Sequence, residues 1–193
     1  MMRVTSLHSR TWLACTLFVL RSGGIVVYPT DTVYGMGCDA TNKDAVGRLV
    51  KIKQRIPEKP FPLLISDFSM AKRFAKIPDW IEPLPKILWP GPWTFVVEAR
   101  RFLPRSVSRR MAVGLRIPDH HAIRTVISKL GKPIIGTSAN IAGLPPARSA
   151  KEAFRIFSRA EEQPDLIVDG GRLSGKPSTV IRVSSRGLTV LRN

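Results

Sequence analysis

Three cations lie close together where a predicted helix ends and a proline-containing loop begins. They are Lys53, Arg55 and Lys59. The planar guanidinium of arginine and the compact charge of lysine both suit phosphate oxygens, so this segment can act as an oligophosphate clamp. Cations at this position also suit the negative end of a helix dipole. A capped, solvated helix end is therefore the alternative interpretation.

Two further clusters offer hydroxyl groups directly after predicted strands. Segment 29–35 contains Thr32, and segment 137–140 contains Ser138 and Asn140 ahead of a glycine and two prolines. In α/β folds, sites are built on the loops that follow strands, and a small rigid loop can approach a ligand closely. The alternative for both segments is an ordinary turn closed by its own side chains.

A fourth segment, 169–179, has the glycine and lysine spacing of a P-loop at Gly170, Gly175 and Lys176. Pro177 stands where a P-loop carries the Ser or Thr that binds magnesium. The residues after Pro177 are typical of a strand, whereas a P-loop leads into a helix. We therefore interpret the match as accidental.

The sequence predicts no metal site at known ligand spacings. Cys15 and Cys38 do not form a CxxC pair, and with only 3 histidines no zinc cluster can be assembled. No Ser-His-Asp order is apparent either. A reduced, cytoplasmic protein is the simplest interpretation.

The elements that must position these clusters alternate along the chain. A length of 193 residues predicts one domain, 1–193. The fold class predicted is α/β, with a twisted mixed parallel and antiparallel sheet and flanking helices. Helices are predicted over 12–20, 42–53, 69–76, 79–88, 119–130 and 149–159, and strands over 25–28, 61–65, 94–97, 113–117, 133–136, 166–168, 179–183 and 188–191. The caps expected for the helices are Thr41 or Asn42, Asp119 and Ser149.

The apolar run 12–20 is too short to span a bilayer, and it reads as a first helix rather than a signal peptide. The net charge of +17 and the pI of about 11.1 favour polyanionic partners. Such partners are nucleotides, nucleic acid or an acidic membrane surface. A solvated basic surface without a specific partner is the alternative.

Taken in order, these clusters resemble the YrdC/TsaC family of threonylcarbamoyl-AMP synthases. The resemblance extends from about residue 17 to residue 192 and is to the short, single-domain form. The segments that carry it are 28–35, 53–55, 89–92, 116–120, 137–140 and 178–180. It implies a YrdC-like fold with a concave basic face.

The resemblance also implies an activity. L-threonine, bicarbonate and ATP would be joined into threonylcarbamoyl-AMP with release of pyrophosphate, for N6-threonylcarbamoyladenosine modification of tRNA. ATP is then a substrate, and Mg²⁺ is expected on its phosphates. A downstream complex would transfer the threonylcarbamoyl group to tRNA. Direct contact with tRNA or double-stranded RNA is compatible with the charge, and no membrane partner is implied.

The same resemblance assigns roles to residues. Catalysis is implied for Lys53, Arg55, Ser138 and Asn140. ATP binding is implied for Lys53, Arg55, Lys59, Asn140, Arg148 and Arg192. Threonine binding is implied for Thr32, Arg116, Ser138 and Ser178. No protein nucleophile is needed, because N-carboxythreonine can attack the α-phosphorus directly when cations hold it in line.

Two positions depart from the family pattern. Ile56 stands where proline usually continues the Lys-x-Arg signature, and Leu64 stands where longer members often carry a threonine-contacting histidine. Two other functions remain as alternatives: a non-catalytic protein that binds double-stranded RNA or assists ribosome assembly, and a carbamoyl-transfer domain for another acceptor. The set formed by Lys53, Arg55, Ser138 and Asn140 favours the enzyme.

Overall fold

Two mixed sheets form the centre of the computed structural model, which describes residues 2–54, 60–100, 103–104, 106–108 and 111–193. The strands are β1 (Arg3–Ser6), β2 (Val26–Tyr28), β3 (Gly35–Gly37), β4 (Leu63–Leu64), β5 (Ala75–Lys76), β6 (Trp93–Ala99), β7 (Ala112–Arg116), β8 (Ile134–Ile135), β9 (Thr137–Ser138), β10 (Leu166–Asp169), β11 (Thr179–Ser184) and β12 (Gly187–Arg192). The first sheet has the order β1-β10-β2-β3-β9. The second has the order β12-β11-β6-β7-β4-β8, with β5 paired to β6.

Both sheets contain parallel and antiparallel pairs, which confirms the mixed α/β prediction. In the first sheet β10 runs parallel to β2, and β3 runs antiparallel to β2. In the second, β11 runs parallel to β6, and β7 runs antiparallel to β6. One sheet was expected and two are present, because the chain passes from β8 to β9 across Gly136 and so leaves one sheet for the other.

In the part of the chain that the structure describes, six helices flank the sheets: α1 (Trp12–Arg21), α2 (Lys43–Lys53), α3 (Phe68–Phe74), α4 (Pro83–Leu88), α5 (His121–Leu130) and α6 (Ala150–Phe157). Asn42 caps α2 through bonds from the Asp44 and Ala45 amides, and Ser149 caps α6 through a bond from the Glu152 amide. Both caps are as predicted.

Three predicted helix boundaries are wrong. Asp119 does not cap α5, because the backbone stays extended through His120 and the helix begins one residue later. The helix predicted over 69–76 ends at Phe74, since 75–76 pairs with β6 instead. The helix predicted over 79–88 is confined to α4, which starts with Pro83 in its first turn.

The core lies where helices cover the sheets. Leu49 and Ile52 of α2 are buried, as are Val27 of β2 and Leu115 of β7. In the described part of the chain no helix is both long enough and apolar enough to cross a membrane. Cys15 is exposed and Cys38 is buried, and both are free thiols.

Candidate functional site

A cavity of about 1010 Å³ is lined by residues of both sheets. Its volume is at the upper end of the range typical of small-molecule sites, about 300–1,000 Å³. Five residues predicted to be functional lie in its wall, although they come from distant parts of the sequence. They are Thr32, Arg116, Ser138, Ser178 and Arg192.

Arg116, at the end of β7, is buried and fixed by three hydrogen bonds. Its Nε donates to the carbonyl of Gly91 at 3.0 Å, and its Nη1 donates to Thr32 Oγ1 at 3.2 Å. Its Nη2 donates to Asp31 Oδ1 at 2.6 Å. A guanidinium carries five N–H groups, so the hydrogen bonds to described residues leave two of them for a ligand. They suit a carboxylate, which guanidinium groups bind through paired hydrogen bonds.

The hydroxyl of Thr32 is oriented by its neighbours. The hydroxyl of Thr30 donates to the Val33 carbonyl at 2.8 Å, so its own proton is committed. Thr32 Oγ1, 2.9 Å from Thr30 Oγ1, must therefore donate in that pair. The oxygen of Thr32 then has no proton left for a ligand and offers a lone pair. It suits an ammonium or hydroxyl donor.

Ser178 lies directly before β11 and is hydrogen-bonded to Arg192 at the end of β12. Its carbonyl accepts from Arg192 Nη2 at 2.7 Å, and its hydroxyl lies 3.0 Å from the same nitrogen. The hydroxyl of Thr94 is 3.1 Å from Ser178 Oγ. Desolvation and then the nearby charge of Arg116 lower the pKa of Arg192. Three arginines line this cavity: Arg116, Arg182 and Arg192.

Lys53, the last residue of α2, lies behind Ser138 and is only 2% exposed. Its Nζ donates to the Ser138 carbonyl at 2.8 Å and to Asn140 Oδ1 at 2.6 Å. The Ser138 hydroxyl donates to the same Asn140 oxygen at 2.7 Å. Asn140 Nδ2 in turn donates to the Leu144 carbonyl. These bonds hold a cationic, hydroxyl-bearing corner in one geometry.

Of the predicted ATP-side residues that the structure describes, Arg192 lines the cavity, whereas Lys53, Asn140 and Arg148 are not among its lining residues. Arg148 is exposed just before α6, where its amide donates to Glu152 Oε2 at 2.8 Å. Arg55 and Lys59 fall outside the described residues, as does Ile56. Leu64, at the position where longer members often carry histidine, lines the cavity.

Asp31 and Gly175 are among the residues near the site that were not predicted from the sequence. Asp31 is the carboxylate that fixes Arg116, with its side chain 14% exposed. Gly175 packs so tightly that a Cβ there would lie 2.4 Å from the Thr32 carbonyl oxygen. The position of Asp31 between two threonines of the predicted cluster was a usable signal. No signal in the sequence pointed from Gly175 to Thr32.

The described residues offer neither a cluster of metal ligands nor a reactive buried thiol. The described residues contain no group of three or more His, Cys, Asp or Glu that could hold a metal ion. Burial raises the pKa of the Cys38 thiol to about 12, so this side chain is an inert core group.

Comparisons of sequence place the chain among known proteins. A model of the Sua5/YciO/YrdC family, described as "Telomere recombination", matches residues 18–193. A Haemophilus influenzae protein described only as uncharacterized is 34% identical over 176 residues, which is 90% of this chain and 84% of that protein. The uncharacterized protein YciO of Escherichia coli K12 is 32% identical over the same shares.

Solved structures of Sua5 and YciO also superpose on this chain. P. abyssi Sua5 complexed with L-threonine superposes with a TM-score of 0.90 at 32% identity, over 100% of this chain and 57% of that one. A variant of P. abyssi Sua5 gives a TM-score of 0.92 over 60% of its chain. This chain therefore spans less than two thirds of Sua5. E. coli YciO gives 0.87 at 28% identity and is covered over 95% of its length.

Proposed function

Because the chain belongs to the Sua5/YciO/YrdC family, we infer that it is an enzyme that makes threonylcarbamoyl-AMP. The substrates would be L-threonine, bicarbonate and ATP, and the second product would be pyrophosphate. The observation that carries this inference is the convergence of Thr32, Arg116, Ser138, Ser178 and Arg192 on one cavity.

The threonine end of the cavity is assigned to Arg116 and Thr32. The two uncommitted N–H groups of Arg116 suit the carboxylate of an amino acid. The lone pair of Thr32 suits the ammonium or the hydroxyl of the same molecule. P. abyssi Sua5, at 32% identity, has been solved in complex with L-threonine, which supports this assignment.

The nucleotide end is assigned to Ser138 and to the cations around it. Lys53 and Asn140 orient Ser138, and Arg192 supplies a guanidinium to the same cavity. Arg55, Lys59 and Arg148 remain proposals for ATP contacts. Mg²⁺ carried on the ATP phosphates would neutralise part of their charge.

The chemistry requires alignment more than a protein nucleophile. The threonine amine and bicarbonate give N-carboxythreonine and water. A carbamate oxygen then forms a bond to the α-phosphorus of ATP while the bond from that phosphorus to the bridging oxygen breaks and pyrophosphate leaves. Fixed cations and hydroxyls stabilise the charge that develops on the phosphate oxygens. A downstream complex would carry the threonylcarbamoyl group to tRNA.

The decisive assay is pyrophosphate release from ATP, with threonine and bicarbonate omitted one at a time. We expect release only when both are present, together with an AMP-linked product detected by mass spectrometry. ATP turnover that ignores threonine would contradict the assignment and indicate a general nucleotide hydrolase. No turnover under any condition would favour the non-catalytic RNA-binding alternative.

A further inference from the structure

Two helices that pack against each other lie in stretches of sequence without a single acid. Residues 1–30 contain α1, residues 120–151 contain α5, and all 14 Asp and Glu residues lie elsewhere. The helices are in contact, and Arg21 Nη2 donates to the carbonyl of Lys129 at 3.1 Å. The positive potential of this face is therefore not offset by any acid of either helix.

Four exposed cations meet at the C-terminal end of α5. They come from α1, α3, α5 and the turn that follows α5. They are Arg21, Arg73, Lys129 and Lys132, called the basic corner below. Arg73 Nη2 donates to the Gly131 carbonyl at 3.1 Å, two residues from the carbonyl that Arg21 contacts. Within the described part of the chain, Lys132 alone of the four pairs with a carboxylate, that of Asp39 at 2.7 Å.

Helix capping does not account for four cations. The dipole of a helix places only about half a negative charge at its C-terminus. Gly131 already ends α5 in the left-handed conformation, with φ 72°, and its amide bonds to the last turn. Like charges closer than the Debye length, about 8 Å at physiological salt, repel each other. A cluster that keeps this excess charge is suited to a polyanion.

An exposed aromatic ring lies beside these charges. Phe18 of α1 is 69% exposed, and it precedes Arg21 by three residues, which puts both on one helix face. Solvent-facing aromatic rings next to cations are the usual means of binding unpaired bases along a phosphate backbone. Arg21 and Arg73 each use one N–H for a carbonyl, so each keeps others for phosphate.

We propose that the basic corner binds the phosphodiester backbone of RNA and that Phe18 stacks on an unpaired base. The site is separate from the cavity. Arg116 lies just before α5, and a helix of 10 residues is about 15 Å long. The basic corner lies at the far end of that helix, so RNA bound there need not enter the cavity. This inference does not depend on the proposed synthesis of threonylcarbamoyl-AMP.

The test is fluorescence anisotropy with a labelled RNA hairpin that has an unpaired loop, beside a duplex RNA of equal length. The variant is Arg21→Glu with Arg73→Glu. The matched control is Arg155→Glu with Arg186→Glu, two exposed arginines on other surfaces with the same change of charge. Pyrophosphate release without RNA is measured for both and should not change.

We expect the Arg21/Arg73 variant to bind the hairpin about tenfold more weakly near physiological salt. The slope of the logarithm of the binding constant against the logarithm of the salt concentration should become shallower by about 1.4, since each single-strand phosphate contact contributes about 0.7. Lys129→Glu, which breaks no described side-chain contact, should weaken binding in the same direction with the fold intact by circular dichroism. Phe18→Ala should weaken binding of the hairpin and leave the duplex unchanged.

Equal losses in the control pair would overturn the proposal, since the effect would then be one of net charge. So would full RNA binding by Lys129→Glu. Loss of binding to phosphatidylserine vesicles without loss of RNA binding would identify a membrane surface instead. RNA binding that persists in a protein without pyrophosphate release would leave this proposal standing while the proposed enzymatic function fails.

Discussion

Lys53 and Lys176 both lie in segments whose composition suits phosphate, but their surroundings are opposite. Lys53 is 2% exposed, and its ammonium is held by the Ser138 carbonyl and by Asn140. Lys176 is exposed in the loop before β11, and the described residues give it no hydrogen bond or ion pair. Residue type and spacing therefore do not distinguish a buried lysine with fixed partners from a solvated one.

Gly175, one of the two glycines of the apparent P-loop, is explained by packing rather than by phosphate binding. A Cβ at Gly175 would lie 2.4 Å from the Thr32 carbonyl oxygen and 2.7 Å from the Thr32 Cα. Glycine is required there because two backbones pass in contact. The loop around Lys176 thus serves the site by packing on Thr32, whose hydroxyl receives a bond from Arg116. The comparison predicts that variants of the two lysine segments will differ widely in effect.

The largest effect is expected for Lys53→Ala. The substitution leaves Asn140 Oδ1 and the Ser138 carbonyl without a charged donor, so we expect pyrophosphate release to fall by more than about a hundredfold. Loss of this buried contact should also cost about 1–3 kcal/mol of unfolding free energy. Both are measured with Lys51→Ala as control, since Lys51 is exposed on the same helix. Equal effects of the two variants would show that burial of Lys53 has no functional meaning.

Ser138→Ala separates activity from stability in the same corner. The hydroxyl donates to Asn140, and alanine fits the same backbone, so unfolding free energy should change by no more than about 1 kcal/mol. Pyrophosphate release should fall by roughly a hundredfold if the hydroxyl contacts the reacting groups. The measurement is melting temperature together with rate, and the control is Ser128→Ala, at an exposed position of α5. Rate and stability falling in proportion would mean that Ser138 only closes its loop.

Local chemistry made part of this fold predictable. The caps Asn42 and Ser149 act within three residues of themselves, so the sequence contains the whole interaction. Strands β3 and β9 were not predicted, because two or three residues carry no clear period. They exist through pairing with distant partners, such as Gly35 opposite Ser138. The division into two sheets depends on the same pairings.

The candidate site, too, was predictable only in part. The resemblance supplied Thr32, Arg116 and Ser178 as candidates, and the structure brings all three to one cavity. Asp31 lies in segment 28–35, which carries the resemblance, but its role depends on Arg116, which is 85 residues away. Contacts of that kind follow from the packing of the two sheets rather than from any local pattern.

Gly175→Ala should have a smaller but measurable effect. The new methyl group overlaps the backbone of Thr32, so one of the two loops must shift. Overpacking of this kind typically costs about 1–3 kcal/mol, and displacement of Thr32 should raise the KM for threonine more than the KM for ATP. Gly47→Ala is the control, because a Cβ at this position in α2 meets nothing within 4 Å. That control should stabilise the helix by about 0.5–1 kcal/mol. An unchanged KM for threonine in Gly175→Ala would show that the loop around Gly175 does not affect threonine binding.

The smallest effect is expected for Lys176→Ala, which tests the exposed lysine of the comparison with Lys53. A P-loop lysine reaches the β- and γ-phosphates from a loop that opens a helix, whereas strand β11 follows here and Pro177 intervenes. Because the side chain is exposed and holds nothing in the described structure, unfolding free energy should change by less than about 0.5 kcal/mol. Pyrophosphate release and the KM for ATP should stay near those of the parent protein. A collapse of ATP binding with the circular dichroism spectrum intact would give Lys176 the phosphate role assigned to Lys53, because no change in packing could then explain the loss.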